Sequence, residues 1–193
     1  MTRIIAGDAK GRTLRVPGEG TRPTSAKIRE ALFSKLEAWG LVRGARILDL
    51  FAGSGALGLE AFSRGAGRVD LVEKARQAQR VVEENIRSVR GKDAVKLHRI
   101  SAEHFLAAHS DIYDVIFVDP PYSWQEQRLT ELLAQIPGRL SPDGVVVVER
   151  DSRSDRVRTP DSLVLEDERR WGDTTVYILG LPALPPAEAQ SSK

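Results

Sequence analysis

The stretch of this chain with the clearest chemical use is IFVDPPY, residues 116–122: an apolar run, an acid, two prolines and an aromatic. Two consecutive prolines continue neither strand nor helix, because proline lacks an N–H, fixes φ and restricts the residue before it. The chain is therefore stiffened just after a buried segment. Asp119 offers a carboxylate and Pro120 a carbonyl whose direction Pro121 locks. Two such acceptors suit an exocyclic aromatic amine, a poor nucleophile whose lone pair is delocalised into its ring. Accepting its N–H bonds orients the amine and favours a more pyramidal nitrogen. Tyr122 adds a flat face on which a base can stack, an interaction of roughly 1–3 kcal/mol per base.

A second constellation lies in DLFAGSGALG, residues 49–58. Gly53, Gly55 and Gly58 fit G-x-G-x-x-G between an apolar strand and a helical pattern, allowing a tight turn and close approach of a ligand to the backbone. Twenty residues beyond Gly53, Glu73 ends the next strand, where a carboxylate can accept bonds from both hydroxyls of an adenosine ribose. Two cofactors compete. A nicotinamide or flavin dinucleotide would set its pyrophosphate on the helix N-terminus. S-adenosylmethionine has no phosphate and a positive amino group, which Asp49, just before the turn, can help hold. Phe51, inside the turn, joins the candidate cofactor set. No G-x-x-x-x-G-K-[ST] is present, which argues against a P-loop nucleotide hydrolase. Chemistry of this kind needs neither metal nor covalent intermediate. That agrees with the absence of cysteine and with three scattered histidines, so no metal is expected.

These residues need elements to position them. Residues 3–6 and 12–16 read as a hairpin around Gly7 and Gly11, and residues 16–23 as a loop. A helix starts near Thr24 as N-cap, carries Ile28, Leu32, Phe33 and Leu36 at helical spacing, and ends near Gly40. Strands are predicted at 45–51, 68–73, 94–100, 113–119 and 144–149, and helices at 56–65, 75–91, 102–108 and 124–136. Two more strands are predicted near 162–166 and 174–180. Near-continuous apolar strands alternating with helices indicate a parallel sheet covered on both faces, with ligands outside the strands' carboxyl ends. The strand ending in Asp119 should then lie beside the first strand, across the switch point.

With 193 residues, 41% of them hydrophobic, the chain is read as one domain. Its organisation is an N-terminal basic hairpin and helix (1–40), a cofactor domain (41–180) and a Pro-rich tail (181–193) expected to be disordered. No apolar run approaches membrane-spanning length, so a cytoplasmic protein is expected. Charge is uneven. Residues 1–46 hold ten Lys/Arg against four Asp/Glu, and residues 47–193 hold nineteen against twenty-three. A basic head on a mildly acidic body points to a polyanion partner at one end.

Three stretches, RIIAG…GRTLRVP, TRPTSAKIREALFSKL and LDLFAGSGALGLEAFSRGA, together with IFVDPPY, resemble the RsmD family of bacterial 16S rRNA guanine-N2 methyltransferases over residues 2 to about 180. The resemblance implies a Rossmann-like class I S-adenosylmethionine-dependent fold: a seven-stranded, mostly parallel sheet with helices on both faces, plus the small N-terminal extension. It implies methyl transfer to N2 of one guanine, known in the family as G966, in 16S rRNA of an assembling 30S subunit. No coiled-coil pattern or large spare apolar stripe is evident, so a monomer is expected. The position after the third strand often begins with Asp in the family. Here Ser101-Ala102 stands there, which leaves a backbone or hydroxyl contact to the adenine. Ala26-Lys27 replaces an Asp-Arg pair and keeps a positive charge. Arg3, Lys10, Arg12, Arg15, Arg22, Lys27 and Arg29 form the candidate RNA-binding set, with Arg22 alternatively lining the cofactor pocket. The other readings are an adenine-N6 nucleic-acid methyltransferase and a non-catalytic RNA-binding assembly factor.

Overall fold

The computed structural model describes residues 1–18, 25–121 and 123–183. Two short strands, β1 (Thr2–Arg3) and β2 (Thr13–Leu14), pair antiparallel and precede helix α1 (Ala26–Ala38). The main body then alternates: β3 (Arg46–Asp49), α2 (Ala56–Ser63), β4 (Arg68–Val72), α3 (Arg76–Ser88), β5 (Val95–His98), α4 (Ala102–Ala108), β6 (Tyr113–Val118) and α5 (Glu126–Leu133). Three long strands close the chain: β7 (Leu140–Asp151), β8 (Val164–Trp171) and β9 (Thr174–Gly180).

The seven strands β3 to β9 form one sheet in the order β5-β4-β3-β6-β7-β9-β8. The five from β5 to β7 are parallel, and β9 runs antiparallel between β7 and β8. This is the expected seven-stranded, mostly parallel sheet. Strand β6 does lie beside β3, with Asp49 opposite Phe117. Alternation along the strands fills both faces. Val115 and Phe117 join the apolar layer under α1, α2 and α3, while Ile116 and Val118 join the layer under α4 and α5. The four valines 145–148 divide between the same two layers.

The structure redraws several boundaries. Helix α1 is capped by Ser25, whose side chain accepts from the N–H of Ile28, rather than by Thr24, which lies outside the described residues. The hairpin ladder is only two residues long on each side, shorter than 3–6 and 12–16. Its backbone finds other partners instead. Ile5 and Ala6 donate to the Glu60 carboxylate at 2.8 and 3.0 Å, and Ala9 donates to the Ser63 hydroxyl at 2.9 Å. A Cβ on Gly7 would lie 1.7 Å from the Ser63 carbonyl oxygen, so only glycine allows this approach. Glu60 is fully buried and is also bound by Arg64, which fans out to Glu30 and Glu37. Ile4 and Leu14 sit in the same apolar layer as α1 and α2, so the N-terminal segment shares the main core.

Arg29 corrects the RNA-contact set. It is 1% exposed, and its guanidinium donates to Thr2 Oγ1 at 2.9 Å and to the Arg3 carbonyl at 2.6 Å. It fastens α1 to β1 from inside and does not face a polyanion. Two strands also outrun their predicted limits. β7 begins at Leu140, with a register shift between Tyr113 and Val115, and β8 extends through Glu166–Trp171 as an exposed edge.

Candidate active site

Four adjacent parallel strands deliver the site from their carboxyl ends. Asp49 ends β3, Glu73 follows β4, Ser101 and Ala102 follow β5, and Asp119, Pro120 and Pro121 follow β6. All of them line one cavity of about 470 Å³, as do Phe51, Gly53 and Trp124. That volume lies in the range of small-molecule sites. The remaining member of the predicted cofactor set, Gly55, closes the turn and caps α2 at φ +79°, a conformation that suits glycine. A Cβ at Gly58 would meet the Leu71 side chain at 2.3 Å, so this glycine lets α2 lie close on the sheet. Tyr122 and Arg22 lie outside the described residues.

The carboxylates shape the turn as well as the cavity. Glu73 accepts from the N–H of Gly53 at 2.9 Å and from that of Ala75 at 2.7 Å, so it holds the glycine turn against the next helix. Each oxygen keeps a lone pair for a ligand hydroxyl. Asp49 accepts longer bonds from Phe51 and Gly58, 3.3 and 3.4 Å. Burial is the main cause that pushes the Asp49 carboxyl up to about 7, with Glu73 adding to it and the two backbone N–H groups opposing it. Asp119 is raised well above the usual carboxylate range, first by its low-dielectric surroundings, then by the charges of Glu149 and Asp49, against Arg150. No described residue donates a hydrogen bond to its side chain.

Four acids line this cavity, Asp49, Glu73, Glu103 and Asp119, and such a lining repels a pyrophosphate and suits a cation. Among the described lining residues the sole base is Lys74, and it is exposed. The cavity thus fits S-adenosylmethionine, with its ammonium and sulfonium charges, better than a dinucleotide. Ser101 caps α4, its hydroxyl accepting from the N–H of His104, so the Ala102 N–H in the first helical turn is the donor left over for an adenine ring.

One lining residue escaped the sequence reading, which took Trp124 as a helix start. The helix begins two residues later. The N–H of Trp124 donates to the Pro121 carbonyl at 2.9 Å, closing a turn after the two prolines. Its ring meets Phe51 edge-on with centroids 5.1 Å apart, and the Arg128 guanidinium lies 3.9 Å above it. Arg128 in turn pairs with Glu103 of α4, and the buried Arg150 donates to the Trp124 carbonyl. Also unforeseen was Asn85 on α3. Its side chain accepts from the N–H of Arg15 and donates to the carbonyls of Arg15 and Ser54, joining β2 to the glycine turn.

Among the remaining basic residues of the N-terminal set, Arg3, Lys10, Arg12, Arg15 and Lys27 are exposed. Arg15 pairs with Glu84 at 2.6 Å. The chain leaving β2 reaches the cavity, which Val16, Pro17 and Gly18 line.

The sheet order, the glycine turn and the acid-ended strands are those of a class I S-adenosylmethionine-dependent methyltransferase. Residues 2–180 match the family model described as Conserved hypothetical protein 95. The chain is 37% identical over 182 residues to YlbH of Bacillus subtilis, by its name a provisional rRNA methyltransferase, covering 91% of this chain and 97% of that one. It is 34% identical over 177 residues to the ribosomal RNA small subunit methyltransferase D of Escherichia coli K12, covering 91% and 88%. The solved structure of YhhF from Escherichia coli, provisionally a methyltransferase, superposes with a TM-score of 0.82 at 30% identity, covering 94% and 98%. The chain belongs to this family, that of the small-subunit rRNA methyltransferase D and YlbH proteins. No described helix is long and apolar enough to cross a membrane.

Proposed function

We propose that this protein methylates the exocyclic N2 of one guanine of 16S rRNA, the family's G966, within the assembling 30S subunit. The observation that carries the reading is Asp119. Its carboxylate stands at the cavity beside the rigid Pro120 carbonyl, without a donor among the described residues, as an acceptor waiting for N–H groups must. The name of the Escherichia coli relative, a small-subunit rRNA enzyme, supports the substrate class.

When bound, S-adenosylmethionine supplies an electrophilic methyl group. The chain's own residues do the rest. Glu73 takes the ribose hydroxyls, Asp49 the ammonium, and the Ala102 N–H the adenine. Asp119 and the Pro120 carbonyl accept the two N–H bonds of the guanine amine and fix its lone pair toward the methyl, so that rate comes from placement. Asp119 is then beside the nitrogen to receive the proton it sheds. Tyr122 stacks on the base, which must leave its helix to reach the pocket. Arg3, Lys10, Arg12, Arg15 and Lys27 hold the surrounding phosphates.

The test is to map modified nucleotides in 16S rRNA from cells with and without the gene, then to repeat the reaction with radiolabelled cofactor on 30S particles and on free rRNA. One N2-methylguanine that depends on the gene is the expected result. N6-methyladenine, or no transfer to either substrate, overturns the assignment.

A further inference from the structure

We propose that the outer face of α3 is a second RNA-contacting surface, on which Arg76, Arg80 and Arg87 bind successive phosphates of the strand that leads away from the pocket. The inference rests on the reading of rRNA as substrate. It adds a surface outside the basic head.

The geometry of the helix comes first. At 100° per residue these three arginines fall within about 40° of one another and span about 16 Å along the axis. All three are exposed, while Ala78, Val82, Asn85 and Ile86 face the protein. None of the three has an acidic partner among the described residues. Elsewhere on the surface Lys35 pairs with Asp167, Arg46 with Asp111, Arg128 with Glu103 and Arg156 with Glu168.

The acids that could neutralise the stripe are already engaged. Glu83, which lies in it, is bound by Arg99, and Glu84 beside it is bound by Arg15. Helix stability does not explain the stripe either. Arg76 stands in the first turn, where a positive charge opposes the helix dipole, and that turn holds no acid. An unneutralised file of guanidinium groups is complementary to a phosphate backbone, which they can grip bidentately.

Position supplies the second argument. Just before the helix, Lys74 and Ala75 line the mouth of the cavity, and Gln77 and Ala78 line it from the first turn. On its other flank the helix touches β2 through the Arg15–Glu84 pair and the bonds from Asn85 to the Arg15 backbone. The stripe therefore starts at the rim of the same cavity, on its Glu73 side, and adjoins the basic hairpin. A strand whose nucleotide enters the pocket can lie along both.

The experiment compares the parent with Arg80→Gln/Arg87→Gln and with the charge-keeping Arg80→Lys/Arg87→Lys. Binding to a 16S rRNA transcript and to 30S particles is measured over a series of salt concentrations, with S-adenosylhomocysteine affinity as the check on folding. Loss of two contacts should lower the salt slope by about 1.4–1.8 and weaken binding on the order of tenfold near 0.1 M salt. The lysine pair should stay close to the parent, and all three should bind S-adenosylhomocysteine alike. A glutamine pair with parental affinity and slope, from a parent that binds and methylates rRNA, overturns the α3 surface and leaves the proposed function standing. A parent that neither binds nor methylates rRNA overturns both.

Discussion

The Asn85 side chain donates a 2.8 Å hydrogen bond to the carbonyl of Ser54, at the centre of the glycine turn, while its two other bonds hold the backbone of Arg15. One buried amide thus couples the strand leaving the basic hairpin to the loop that must embrace the cofactor. Asn85→Leu keeps the volume but strands a buried donor and two carbonyls. It should cost ~1–3 kcal/mol per unsatisfied group in denaturant unfolding. Asn85→Asp keeps the acceptor and loses both donors, so it should bind S-adenosylhomocysteine several-fold more weakly. Parental affinity in Asn85→Asp, measured by calorimetry, would show that the turn keeps its shape without this bond.

Cofactor binding should depend on pH through Asp49. In the ligand-free protein its carboxyl is held up to about 7. A ligand carrying an ammonium group prefers the carboxylate, so affinity should be greatest above that value and fall by up to about tenfold per pH unit below it. Binding near pH 6 should release a proton, visible as a calorimetric heat that changes with the buffer's ionisation enthalpy. A flat affinity from pH 5.5 to 8 would count against the contact.

The same group makes an opposite prediction for stability. A carboxyl whose folded value lies above its unfolded one leaves the folded state holding more protons. Its contribution is present at low pH and is lost as pH rises from the ordinary carboxylate range through about 7. Asp49→Asn should therefore raise the melting temperature of the ligand-free protein at pH 8 and weaken S-adenosylhomocysteine binding at the same pH. A lower melting temperature would mean that the bonds from Phe51 and Gly58 outweigh the buried charge.

Asp119→Ala should leave S-adenosylhomocysteine binding nearly intact and cut kcat on the order of 100-fold or more, the scale of losing a preorganised charge-directed contact. Asp119→Asn keeps one acceptor and should retain part of the activity. Single-turnover methylation of rRNA separates the two, and equal loss in both would assign Asp119 to proton removal rather than orientation.

Arg29 and Arg12 should behave as opposites although both are basic residues of the N-terminal segment. Arg29→Ala removes the donor from Thr2 and Arg3 and opens the core, and should destabilise by ~2–4 kcal/mol without altering the salt slope of RNA binding. Arg12→Ala, at an exposed site, should do the reverse. Unfolding curves and salt titrations of the two variants suffice.

The contrast between those arginines shows what was legible in the sequence. Apolar runs at 113–118 and 145–148 announce themselves because the sheet buries both faces, and the glycine turn because its geometry admits few other residues. The Asp119 and Glu73 positions follow once those strands are placed. Edge strand β8 was cut short because Glu166–Arg170 face solvent and carry no apolar alternation. Charge alone could not separate a buried Arg29 from an exposed Arg12. The sequence predicts a longer hairpin than forms because the N–H groups of Ile5, Ala6 and Ala9 end on Glu60 and Ser63, more than fifty residues away, and nothing near residue 5 records that. Trp124 and Asn85 were missed for the same reason: their partners are set by tertiary approach.

Those distant partners also bear on how the chain is made. Ile5 waits for Glu60, 55 residues downstream, and Arg15 waits for Asn85, 70 residues downstream. During synthesis this segment emerges before either partner, and beyond its fastening to Arg29 it gains these bonds only when α2 and then α3 have left the exit channel. A nascent chain halted before α3 thus presents a basic arm whose end at Arg15 lacks the Asn85 and Glu84 contacts of the finished enzyme. Completion of α3 is the event that turns this arm into a fixed wall of the cofactor cavity.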